Sequence, residues 1–127
     1  MEPRYKKISN YITKSYNPLC PVDIIDGLLS YDNHTNSTLL QLKFFNRLPQ
    51  TITSIFIGIS CYDAAGDLLE TDGTVNSFFS ELELKENETY SNKTPVVLSS
   101  IVRDVKVIIE KIVFSSGEIW RSNGGGW

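Results

Sequence analysis

One histidine, two cysteines and a run of acids are the residues of this 127-residue chain whose types can do chemistry. His34 is the only side chain with an ordinary pKa near neutrality, which makes it the one ready proton shuttle. It follows Asp32 by two residues in Asp32-Asn33-His34-Thr35, a spacing that permits a hydrogen-bonded acid–imidazole pair. A loop histidine among Asn and Thr is more often an exposed polar residue. A thiol nucleophile needs an imidazole base, and nothing in the spacing of Cys20 or Cys61 brings either to His34. Asp63, Asp67, Glu70 and Asp72 are a candidate metal set, offering oxygen ligands to calcium together with loop carbonyls. Their spacing departs from the twelve-residue calcium loop, and solvated turns account for them better. A small hydrolase or carbohydrate-active protein would need two such carboxylates held about 5 to 9 Å apart across a cleft. A chain this short has little room for one.

Other catalytic signatures are missing. There is no phosphate-cradling G-x-x-x-x-G-K-[ST], no dinucleotide-binding glycine run, no H-E-x-x-H and no C-x-x-C. Gly58-Ile59-Ser60-Cys61-Tyr62 begins like a nucleophile elbow but lacks the second glycine and lies within a strand pattern. No catalytic residue and no cofactor is therefore expected. Asn33, Asn36, Asn87 and Asn92 each open an N-glycosylation triplet, which reads as turn composition unless the chain is secreted.

The formal charge of -3 argues against a non-specific grip on nucleic acid. Charge is uneven, however. Residues 1–17 carry Arg4, Lys6, Lys7 and Lys14 against Glu2, whereas eight acids between Asp63 and Glu88 face Lys85 alone. No apolar run approaches the roughly 18 residues of a spanning helix, so membrane insertion is not expected. Residues 1–17 lack the basic-then-apolar order of a secretory signal, which makes a cytoplasmic location the default, or secretion if a signal has been removed. Two cysteines cannot build a disulfide framework. Cys61 reads as a buried small hydrophobe, and a Cys20–Cys61 bridge is the other use for the pair.

The elements that must hold these residues are strands. Leu40, Leu42 and Phe44 alternate, as do Ile55, Ile57, Ile59 and Cys61, and then Leu82 and Leu84. Strands are expected over Val22–Tyr31, Thr38–Phe45, Thr51–Tyr62 and Phe78–Lys85, with a short edge piece at Leu68–Glu70. Gly27 marks a bulge or close backbone approach, and Gly66 a turn at positive φ. In Phe78–Lys85, Phe78 would share the side of Leu82 and Leu84, leaving Phe79 as a contact or edge-covering residue. Ile101 to Phe114 fits helical spacing, yet its Val and Ile content and the hairpin-like Ser115-Ser116-Gly117-Glu118 favour a strand, with a bulge near Glu110. Ile119-Trp120 follows as a last short strand.

Residues 38–49, 52–69 and 93–120 resemble a family of uncharacterised bacterial β-sandwich modules of immunoglobulin-like or fibronectin-like form. The likeness rests on Leu40-Gln41-Leu42-Lys43-Phe44 with Asn46, on Thr51 to Asp63 with Gly66 and Leu68, and on Lys93-Thr94-Pro95. It closes on Ile112-Val113-Phe114 and Gly117-Glu118-Ile119-Trp120. The resemblance implies an accessory module and transfers no catalytic residue. The expectation is an all-β, immunoglobulin-like β-sandwich of about seven strands in two antiparallel sheets over residues 18–121. A basic leader, 1–17, would precede it and a flexible glycine-rich tail, 122–127, would follow. Its role would be non-enzymatic, binding another protein, with Phe79, Trp120 and Trp127 as candidate contacts and an edge strand open to a second copy.

Overall fold

The computed structural model describes residues 3–10, 12–14, 19–69 and 74–122. Among them are ten strands and no helix, so none is long and apolar enough to cross a membrane. The strands are β1 (Tyr5–Ser9), β2 (Thr13–Lys14), β3 (Val22–Asp32), β4 (Ser37–Asn46), β5 (Ile52–Tyr62), β6 (Thr74–Phe79), β7 (Thr89–Ser91), β8 (Val96–Leu98), β9 (Asp104–Phe114) and β10 (Ile119–Arg121). Sheet one runs β1–β3–β4, with β7 and β8 on successive stretches of the far edge of β4. Sheet two runs β10–β9–β5–β6, with β2 also beside β9. The β2–β9 pair is parallel, so this second sheet is mixed where an antiparallel one was expected.

The core forms where the alternating rows meet. Leu40, Leu42 and Phe44 of β4 are buried with Ile55, Ile57, Ile59 and Cys61 of β5, in one cluster spanning both sheets. The ambiguous segment is strand β9. Its register jumps from Ile57↔Ile109 to Phe56↔Lys111, leaving Glu110 as the bulged residue. The bulge moves the buried row from Val105, Val107 and Ile109 to Ile112 and Phe114. Such a phase shift imitates helical spacing within one strand.

Three expectations are corrected. First, part of the segment read as a leader is built into the sheets: β1 pairs with β3, and β2 with β9. Ile12 between them is buried against Gly27, where any Cβ would collide with it. A mostly polar segment can do this because backbone pairing needs little apolar sequence. Second, the strand expected over Phe78–Lys85 ends at Phe79, and Glu81 takes φ 57. That break inverts the phase, so Phe79 and Leu84 face the core while Phe78 points outward. Third, Leu68 makes only an isolated bridge to Tyr62, and Ile101 is exposed. Of the two uses open to the cysteines the structure shows the first: Cys20 and Cys61 are both buried thiols and form no bridge.

Two buried amides complete the ladder where strands leave gaps. Between β8, which ends its pairing at Leu40, and β7, which begins its pairing at Lys43, the edge of β4 would lose its partner at Leu42. Asn92 fills the place: the Leu42 N–H donates to its Oδ1 (2.7 Å), and its Nδ2 donates to the carbonyls of Leu40 (3.2 Å) and Thr94 (3.1 Å). Asn46, fully buried, similarly donates from Nδ2 to Gln50 and Leu84 and accepts from the Leu48 N–H.

Candidate functional site

The Asp32–His34 neighbourhood is a structural knot. Asp32 ends β3 and is almost fully buried. Arg4 clamps its carboxylate through Nε (3.0 Å) and Nη2 (3.2 Å), and the His34 N–H (2.9 Å) and Thr35 hydroxyl (3.0 Å) also donate to it. His34 thus contributes its backbone N–H, while its side chain is exposed. The Arg4 hydrogen bonds, helped by His34 N–H and Thr35, hold the carboxyl far below its ordinary value of 3.8. A carboxyl this saturated is a poor general base.

The sign of its pH dependence follows. A folded-state pKa depressed below the unfolded one stabilises the fold above the unfolded value and loses that stabilisation as pH falls. The thermal midpoint of the wild type should therefore drop below about pH 4. Asp32→Asn should be less stable at neutral pH and converge on the wild type in acid. A constant gap across melts from pH 7 to pH 2 would refute the clamp.

The other candidate residues also serve structure. Asp63 Oδ1 accepts the N–H groups of Ala65 (2.9 Å) and Asp67 (3.0 Å), closing the turn after β5. Glu70 and Asp72 lie outside the described residues, as does Trp127. Among the described residues no three His, Cys, Asp or Glu side chains gather as a metal-holding group. Burial pushes the Cys20 thiol up, so it is not an activated nucleophile. It precedes β3 and His34 follows that strand, so roughly 30 Å of chain separates them. Phe79 is half-buried, its ring 5.5 Å from Phe44 and 5.8 Å from Tyr90. Trp120 packs against the core as well.

The exposed aromatic surface lies elsewhere, on the outer face of the second sheet. Across its strands run Phe78, Phe56, Lys111 and Arg121, each opposite the next. The Phe56 and Phe78 rings stack with centroids 5.5 Å apart and planes 19° from parallel. Lys111 Nζ sits 4.8 Å from the Phe56 centroid, and Lys106 Nζ 5.5 Å from that of Tyr62. Phe78 is 60% exposed and Ile119, on the neighbouring row, 50%. Gly58 keeps the middle of the face low, because the Glu110 carboxylate occupies the space of a Cβ. Three cations, Lys106, Lys111 and Arg121, stand here against Asp104 and Glu110. Strand β6 borders the face and pairs only with β5 among the described residues.

No family model, curated protein or solved structure matches this chain. The chemistry of the surface therefore carries the functional argument.

The mixed side of β5, with Phe56, Gly58, Ser60 and Tyr62, was the sequence signal for this face. The alternation places Phe78 on the opposite side, because the break at Glu81 has no clear mark in the sequence. Ser60 of the elbow-like pentapeptide stands on this outer face opposite Lys106 and Thr74, within a strand and not at a turn.

Proposed function

We propose that this chain is a non-enzymatic protein-interaction module of immunoglobulin-like form. Its contact surface is the outer face of the second sheet beside edge strand β6. The single observation that carries the reading is the solvent-exposed Phe56–Phe78 stack continued across the strands by Lys111 and Arg121. Half of that row offers apolar ring surface and half offers cations. The complementary partner is a protein segment in which apolar residues are followed by acidic ones. Aromatic and Arg side chains are the groups that most often dominate such contacts. The edge of β6, which pairs only with β5 among the described residues, can add a strand of the partner alongside Phe78, its main chain supplying affinity and the face supplying specificity.

Phe78→Ala and Lys111→Glu test this. Both alter exposed or half-exposed positions, so the thermal midpoint should change little. Capture of a reproducible partner by the wild-type chain should fall by at least about tenfold in either variant. Equal capture by wild type and both variants would refute the assigned face.

A further inference from the structure

A second surface lies at the end of the first sheet, away from the aromatic row, where β1 and the loop before β9 meet. A groove of about 610 Å3 opens there, lined by Lys6, Lys7, Tyr31, Asn33 and Arg103 among others. We propose that this groove binds a phosphorylated small molecule through Lys6 and Arg103.

Its charge stands against the rest of the molecule. The chain is net negative, yet among the described residues no carboxylate lines the groove. Among the described residues the ion pairs are Arg4–Asp32, Arg47–Asp23 and Lys85–Glu83, so Lys6, Lys7 and Arg103 have no anionic partner. The nearby acid Asp32 is spent on Arg4, and Asp104 accepts the Val105 N–H. Lys6 pairs across the sheet with Tyr31, the residue whose ring Arg103 covers, so these two cations share one side, whereas Lys7, next in the strand, leaves it on the other. Like charges on one side repel, and an anion bound between them relieves that repulsion.

Arg103 is also held in place. Its Nη1 donates to the carbonyls of Ser100 (2.6 Å) and Val102 (2.8 Å), and its guanidinium lies 5.5 Å from the Tyr31 ring centroid. Those contacts use one nitrogen, and no described residue accepts a hydrogen bond from Nε or Nη2. A fixed fork with unused donors is suited to phosphate oxygens, while Lys6 acts as a mobile point charge. Asn33 is set too, its Nδ2 donating to the Pro3 carbonyl at 2.7 Å. The cations come from two elements, β1 and the loop before β9, so donors approach from separate directions. A tetrahedral phosphoryl group meets such an arrangement better than a planar carboxylate. The volume is that of a small-molecule site.

The test is a calorimetric titration of the full chain with pyrophosphate at low salt, with citrate as the carboxylate comparison. Saturable pyrophosphate binding is expected, weakened about tenfold or more in the Lys6→Gln variant. Lys6 is exposed, so the variant should fold normally. Lys85→Gln, at an exposed position outside the groove, should bind like the wild type. Absence of saturable binding, or equal affinity in the Lys6→Gln variant, would overturn the site. Citrate binding as tight as pyrophosphate would overturn the phosphoryl assignment.

Discussion

Replacing Ile57 with Asp is expected to abolish cooperative unfolding of this protein. Ile57 is 1% exposed at the centre of β5, between Ser77 of β6 and Ile109 of β9. The two residues on the same side of the strand, Ile55 and Ile59, are fully buried. A carboxylate there would meet no cation and would either stay charged in an apolar medium or take up a proton at a cost. The loss should be on the order of 4 kcal/mol or more, a large part of the 5–15 kcal/mol that holds a typical domain together. Circular dichroism melts read it directly: the sigmoidal transition should vanish or fall far in temperature. A melt like that of the wild type would mean that the β5 row does not face a core.

Asn92→Ala should be the next most damaging change, although only a polar group is removed. Its amide satisfies one donor and two acceptors of the main chain at the gap between β7 and β8. Alanine leaves the Leu42 N–H without its partner and removes one of the donors to the Leu40 carbonyl, which still faces Val96 of β8. The expected loss is about 2 kcal/mol, since an orphaned buried group costs roughly 1–3 kcal/mol. Urea unfolding should show a lower midpoint with an unchanged slope. Asn92→Asp should be comparably harmful, because it keeps the acceptor for Leu42 but turns a carboxylate oxygen towards two carbonyls. A loss below about 0.5 kcal/mol in either variant would show that water or neighbouring chain replaces the amide. The same geometry bears on the Asn92-Lys93-Thr94 triplet. A glycan would have to be attached to the buried nitrogen that donates both of these bonds, so the folded chain cannot carry one there.

Much of the architecture was legible because alternation is a strong local signal. It marked β3, β4 and β5 to within a residue or two, and the all-β class with them. The Glu110 bulge was also readable, since only a phase shift reconciles Val105, Val107 and Ile109 with Ile112 and Phe114 on one side. What failed did so where non-local pairing overrides pattern. β1 and β2 are short and mostly polar, and they exist because β3 and β9 offer unpaired edges. Leu82 and Leu84 were rightly assigned to the core side, with Leu84 buried and Leu82 packed against it. The turn in phase at Glu81 nevertheless reversed Phe78 and Phe79. Asn46 and Asn92 look like ordinary turn residues in sequence, and only the interrupted edge of β4 explains their burial.

The candidate site was less legible for a related reason. Surface chemistry depends on which side chains cross-strand register brings together, and register is not written in any one segment. Phe56, Phe78, Lys111 and Arg121 are spread over 66 positions of the sequence yet form one row. Asp32 and His34, two apart in sequence and chemically inviting, belong to a clamp closed by Arg4 from 28 residues away.

The most direct test of the interaction face is photo-crosslinking in the cell of origin, with benzoylphenylalanine in place of Phe78 or, separately, of Val97. Both positions are at least 60% exposed, but they lie on different sheets. A discrete protein adduct from position 78 and none from position 97 is the predicted result, and a second copy of this chain in that adduct would make the partner the protein itself. No adduct from position 78, or the same adduct from both positions, would contradict the assignment of the outer face of the second sheet as the contact surface.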